Sequence, residues 1–196
     1  MDGGSVALLR EILESTGWVE RTRELGLALR ATRSPGGLLV VGTPAEEPWH
    51  LAAHLGDEAR LSGLSQLTPT LVRWSPPPDA PPHLRTGLER IEQARRGETL
   101  FVVAQERAPE PLLERVDDAR RTGATILALD GGDPELEGLA HDALAVTAAD
   151  PLSFDGAQHL VSAAAGEADA PRGRPAGLRA RLARLLERLS GPHVPD

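Results

Sequence analysis

The sequence predicts an α/β protein, a three-layer α/β/α sandwich around a mostly parallel five-stranded sheet. Two observations carry this expectation. Short apolar runs such as Leu38–Val41, Leu100–Val103 and Thr125–Leu129 alternate with segments of helical periodicity, as strand–helix units do. The runs are apolar throughout, with no polar residue at every second position, which is how strands buried on both faces read. At 196 residues and 40% apolar content, the chain is long enough to bury one core of this kind.

Each element has its own signal. Residues 5–32 read as helix from Val6, Leu9, Ile12 and Leu13, continued by Leu25, Leu27 and Leu29, with Gly17 a point of division. Ser34-Pro35-Gly36-Gly37 is a stop. Strand Leu38–Val41 leads to a helix from about Glu46 to Leu61, and Thr70–Trp74 reads as the second strand. Ser75–Pro82 holds five prolines and reads as an irregular loop. Leu84, Leu88 and Ile91 predict a helix over 84–96. Leu100–Val103 is the third strand, followed by a helix over 110–122 that stops at Gly123. Thr125–Leu129 is the fourth strand, and Asp130-Gly131-Gly132-Asp133 resembles a calcium-loop fragment but lacks the later ligands, so it reads as a turn. A short helix over 135–141, a fifth strand over 144–146 and a helix over 154–165 complete an α/β domain spanning 1–166. A Pro/Gly/Arg linker over 167–177 and an amphipathic Arg-rich helix over 178–190 follow, the latter with Leu178, Leu182, Leu185 and Leu189 in a stripe.

Composition narrows the chemistry. The net charge of −8 disfavours nucleic acid and anionic lipid as partners. All 21 basic residues are arginine, so Schiff-base chemistry and a Walker-type phosphate lysine are excluded. There is no cysteine, hence no disulfide framework, thiolate nucleophile or zinc finger. Three Trp, two Phe and no Tyr leave little for base stacking. No apolar run approaches the ~20 residues of a membrane span and no signal-peptide pattern opens the chain, so the expected location is the cytoplasm.

Two strand-to-loop junctions stand where an open α/β sheet places its ligand. The first is Gly37-Leu38-Leu39-Val40-Val41-Gly42-Thr43-Pro44, running into Trp49-His50-Leu51-Ala52-Ala53-His54-Leu55. The second is Leu100-Phe101-Val102-Val103-Ala104-Gln105-Glu106-Arg107-Ala108-Pro109. A helix N-terminus there can hold phosphate through backbone N–H groups. Neither loop carries the usual glycines and hydroxyls. Pro44 and Pro109 donate no N–H, and Glu106 would repel a dianion. Gly42, Thr43, Gln105 and Arg107 are the candidate ligand-binding residues that remain. Thr43 reads equally as a capping residue and Arg107 as a solvated charge. His50 and His54, spaced i, i+4, share one helix face, and with His159 they form a candidate metal trio; the alternative is packing or solvation. Six arginines between Arg172 and Leu189 against one acid, Glu187, suit nucleic acid or an acidic partner, and the leucine stripe suits docking on the domain or on another subunit.

Taken together, these junctions resemble the sugar isomerase (SIS) domain family over residues 5–165, most closely sedoheptulose-7-phosphate (phosphoheptose) isomerases and DnaA initiator-associating proteins. Gly37–Gly42 with His50–Leu55 is similar to the family's first strand, phosphate loop and helix. Leu100–Val103 through Asp118–Leu129 is similar to its second phosphate loop, helix and strand, and Phe154-Asp155-Gly156-Ala157-Gln158-His159 to the start of its late active-site helix. The resemblance implies roles for Gln158 in binding and for His54 and His159 in catalysis, His54 standing where the family has a glutamate. It further implies a zinc site near the late histidine, and a homodimer or homotetramer. Pro44 replaces the family's loop serine, and the second loop has no hydroxyl. The expectation is therefore a degenerate, non-catalytic module, a pseudoenzyme without cofactor that binds a ligand or protein partner. The alternative is a divergent phosphosugar aldose–ketose isomerase acting on a sugar phosphate, with zinc.

Overall fold

A computed structural model describes residues 3–81 and 84–167. The expected linker from residue 168 onward and the helix over 178–190 lie outside the described residues.

The N-terminal helical segment is divided at Gly17, as its sequence suggests. Helix α1 (Gly3–Leu13) passes through one 3₁₀ turn and meets Gly17 at φ 78°, a left-handed conformation that glycine adopts without a Cβ clash. Helix α2 (Trp18–Leu29) follows. Then come β1 (Leu38–Val41), α3 (Trp49–Ser62), β2 (Pro69–Val72), the single turn α4 (Glu89–Glu92), β3 (Thr99–Ala104) and α5 (Glu110–Arg121). β4 (Thr125–Asp130), α6 (Pro134–Leu139), β5 (Asp142–Ala145) and α7 (Phe154–Gly166) complete the described fold. None of these helices is long and apolar enough to cross a membrane.

The sheet order is β2-β1-β3-β4-β5, and all four pairings are parallel. β1 and the centres of β3 and β4 are apolar throughout because the period-2 alternation sends successive residues into two separate cores. Leu38, Val40, Phe101 and Leu127 pack with α1, α2, α3 and α7. Leu39, Val41, Leu100, Val102 and Ile126 pack with α4, α5 and α6. β1 is followed by β2 on one side and flanked by β3 on the other, so the chain reverses direction across the sheet between β1 and β3. The carboxyl ends of those two strands bound the crevice where this architecture binds ligands.

One element departs from expectation. The helix predicted over 84–96 is only the turn Glu89–Glu92. Arg73 donates its N–H to the Thr86 carbonyl (2.9 Å) and forms a parallel bridge with Gly87, which draws this stretch against the end of β2. The leucine spacing still serves a core, since Ile91 and Ala94 are buried beneath α5 and Leu88 packs against them. α3 begins at Trp49, later than expected, because Glu46 belongs to the preceding turn.

Candidate functional site

The first junction closes on itself. Thr43 N–H donates to the Glu46 carbonyl (3.1 Å), and Glu46 N–H donates back to the Thr43 carbonyl (3.2 Å) and hydroxyl (3.2 Å). Thr43 is 6% exposed, so both its backbone and its hydroxyl are engaged inside the turn. Gly42 is required there: a Cβ at this position would stand 2.1 Å from the Glu46 carbonyl oxygen. Neighbours from the end of β2 fix the loop further. Glu47 accepts from Arg73 Nε (2.9 Å) and Trp74 N–H (3.2 Å), while Trp74 Nε1 donates to the Gly42 carbonyl (2.8 Å). The Arg73 guanidinium also stacks 4.5 Å from the centre of the Trp49 ring.

Acidic groups tie down the second junction. Ala108 N–H, near the start of α5, donates to Asp133 Oδ2 (2.8 Å). Asp133 also caps α6, accepting from Glu135 and Leu136 N–H. Asp130 Oδ1 accepts from Gly132 and Asp133 N–H (2.7 and 2.9 Å), so Asp130–Asp133 is a turn, as its sequence reads. Burial, foremost, pushes the Asp130 carboxyl above the usual carboxylate range. Arg107 is solvated and lies 3.6 Å from the Glu135 carboxylate beside α6. Gln105 lines an open cleft of about 650 Å³ with Gly131, Thr147 and Phe154.

The histidines converge. His50 and His54 on α3 face His159 on α7, with His54 Nε2 3.0 Å and His159 Nε2 3.2 Å from His50 Nε2. The rings meet edge to face, with centroids 4.4–4.8 Å apart. His159 is buried, His54 half-buried and His50 exposed, so the cluster is open on the His50 side. Desolvation, foremost, lowers the pKa of both His54 and His159; the neighbouring His50 lowers His54 further, and Asp155, 3.5 Å from His159 Nε2, opposes the shift. Both imidazoles are therefore biased toward the neutral form. The helices hold this geometry without local strain: Ser153 caps α7 by accepting from Gly156 N–H (3.1 Å), and α7 packs against both α2 and α3. Gln158 is buried in α7 next to His159.

Of the candidate residues, then, the structure brings together His50, His54 and His159. It leaves Thr43 engaged in its own turn and Arg107 beside α6, which packs on the opposite face of the sheet from α3 and α7. Sequence reasoning missed the acids that occupy the junctions. Glu47 and Asp133 act across 26 and 25 residues, and no local pattern marks such pairings.

No protein-family model matches this chain, and no curated protein matches it. Solved structures do. A protein assigned as a phosphosugar isomerase from Silicibacter pomeroyi DSS-3 is similar at a TM-score of 0.52 and 21% identity, covering 94% of this chain and 52% of that one. A sugar-binding protein from Salmonella typhimurium LT2 is similar at 0.44 and 15%, covering 91% and 56%. The Vibrio vulnificus NanR protein, solved with ManNAc-6P, is similar at 0.47 and 11%, covering 95% and 75%. The chain thus spans about half the length of the first two. The first likeness is one of fold, and it agrees with the sheet order and the all-parallel pairing: this chain has a phosphosugar isomerase-like α/β fold.

Proposed function

We propose that this domain is a degenerate SIS-like module that binds a ligand or a protein partner and does not turn over a sugar phosphate. The observation that carries this reading is the reciprocal closure of Thr43 and Glu46. A phosphate cradle needs N–H and O–H donors that converge on empty space. Here the Thr43 N–H points into its own turn, the Thr43 hydroxyl accepts from Glu46 N–H, and the Ala108 N–H is committed to a carboxylate. A dianion at the second junction would have to displace Asp133 from the Ala108 N–H and approach Glu135, which lines the same pocket.

The histidine cluster supports a second reading, a divergent aldose–ketose isomerase. His54 and His159, biased toward neutrality, are competent proton acceptors near pH 7, and Gln158 lies beside them. In that reading His54 and His159 pass a proton between adjacent carbons of the sugar through an enediol.

The same cluster fits a divalent metal. A neutral imidazole nitrogen either donates or accepts. His50 Nε2 touches two other Nε2 atoms, so it cannot donate to one while accepting from the other. Three lone pairs directed at one cation remove that conflict. Zinc–nitrogen bonds of about 2.0–2.1 Å in a tetrahedral site put ligand nitrogens about 3.3 Å apart; two separations, both from His50 Nε2, are 3.0 and 3.2 Å, and all three ligand atoms lie within 4.8 Å of one another. His50, His54 and His159 would hold zinc, leaving one position open; bound zinc would act as a Lewis acid toward a carbonyl or hydroxyl oxygen.

A thermal-shift titration separates the readings. The protein is titrated with sedoheptulose 7-phosphate, other sugar phosphates and inorganic phosphate, with and without zinc. A ligand that binds the native state raises the melting temperature, by about 2.7 kcal/mol of stability at 100 times its Kd. The binding-module reading expects no shift with millimolar sugar phosphate. A saturable shift lost in His54→Ala or His159→Ala, followed by turnover, would overturn it in favour of the isomerase. A zinc shift lost in the same variants, without a sugar-phosphate shift, would leave a metal-binding module.

A further inference from the structure

Leu8 and Ile12 are 59% and 64% exposed and stand one turn apart on α1. They are the only pair of exposed large apolar residues on one helix face among the described residues. The other two, Trp49 and Leu61, lie at opposite ends of α3, and Arg73 stacks on Trp49. Val6, Leu9 and Leu13 already supply the core-facing side of α1, so the second apolar side has no use within the described domain. Glu11 and Glu14, both exposed, make its border acidic.

We infer that this face is covered by the chain's own segment 178–189. Leu178, Leu182, Leu185 and Leu189 recur at i, i+4, i+7 and i+11, which places all four on one side of a helix. Arg179, Arg181, Arg184 and Arg188 flank them, complementary in sign to Glu11 and Glu14. Where the chain leaves the described domain also favours this occupant. Glu167 follows α7, its carboxylate pairs with Arg10 of α1, and its carbonyl accepts from Arg30 (2.5 Å). The segment therefore departs beside α1. Arg10 is on the core-facing side, so the connection has to pass around a helix of about 10–12 Å diameter. Ten residues, 168–177, extend up to about 33 Å, which is ample. Tethering at such range gives an effective concentration of the order of millimolar, so a modest contact suffices. This inference does not depend on the proposed function.

The absence of cysteine makes the test direct. Leu8→Cys or Ile12→Cys is combined in turn with Leu178→Cys, Leu182→Cys, Leu185→Cys or Leu189→Cys in the full chain, and dilute protein is mildly oxidised. Ala180→Cys, on the side of the helical wheel opposite the leucines, is the control partner. In parallel, hydrogen exchange of residues 5–13 is compared between the full chain and a chain ending at Glu167. The expected result is a disulfide within one chain for at least one leucine position and none for the control, with exchange of the α1 amides about tenfold faster after truncation. Disulfides only between chains would assign the face to a second copy and overturn the inference. No disulfide, with exchange unchanged by truncation, would show the face to be bare and overturn it equally.

Discussion

Gly26 sets how closely α7, which carries His159, approaches α2. A Cβ on residue 26 would lie 2.7 Å from Ala164 Cβ, 2.8 Å from Ala165 N and 2.9 Å from the Val161 carbonyl oxygen. Ordinary carbon–carbon contact is about 3.5–4.0 Å, so the added carbon is roughly 1 Å too close to Ala164. Two of the three neighbours are backbone atoms, and the strain cannot be relieved by turning a side chain; the helices have to separate. Overpacking of this kind costs about 1–3 kcal/mol. Alanine returns up to about 1 kcal/mol over glycine through helix propensity. Gly26→Ala should therefore destabilise by about 1–2 kcal/mol, or about 3–6 °C in melting temperature for a domain of this size. Gly26→Val should cost more, because it adds two methyl groups and gains less in propensity. Urea unfolding read by Trp fluorescence, with Trp18 buried on the same helix, measures both. A Gly26→Ala variant as stable as the parent, or more stable, would mean that α2 and α7 have room to spare and would refute the close approach.

Three further outcomes follow from the site and its supports. Glu47→Ala leaves Arg73 and the Trp74 N–H without their acceptor at the first junction, where both side chains are mostly buried, and should cost about 1.5–3 kcal/mol in urea unfolding. In metal-free buffer, stability should fall as pH drops below the ordinary imidazole value of 6.5. His54 and His159 have lowered folded-state pKa values, so the unfolded chain takes up protons first, and the stability present above 6.5 is lost on the way down. His159→Gln should flatten that profile between pH 7 and 5, which a series of thermal melts would show. Phe101→Ala, at the centre of β3 and fully buried, should cost about 3–5 kcal/mol, and calorimetry would measure it as a lower melting temperature.

The parts of this fold that were legible in the sequence are those whose signal is local. Leu38–Val41 and Leu100–Val103 are apolar on both faces because both faces are covered, and the run itself says so. Gly17 marks the α1–α2 division because its left-handed conformation is its own. His50 and His54 meet because i, i+4 is a property of one helix, whereas His159 was drawn to them by the resemblance and not by any spacing. The helix over 84–96 was misread for the opposite reason. Its leucine period is real, but the hydrogen bond from Arg73 to Thr86 joins segments that nothing local connects. Thr43 was readable as a capping residue or an anion ligand, and its hydroxyl accepts from Glu46 N–H inside the turn.

At both junctions donors that could meet an anion are engaged, at the first by the Glu46 main-chain carbonyl and the Glu47 carboxylate and at the second by Asp133. At the first, Glu47 holds Arg73, and at the second Asp133 takes the Ala108 N–H while Glu135 faces Arg107. Arg73 and the Ala108 N–H are thus matched to carboxylates, and the Thr43 N–H to a main-chain carbonyl. On the proposed reading, a serine at position 44 alone would not make a phosphate cradle, because those contacts would also have to break. The histidine cluster is bordered by one acid, Asp155, 3.5 Å from His159 Nε2. Its ring nitrogens face one another between α3 and α7, and its exposed edge at His50 is free of these acid pairings. On the proposed reading, the groups best placed to bind a ligand or metal lie on the helices rather than in the loops.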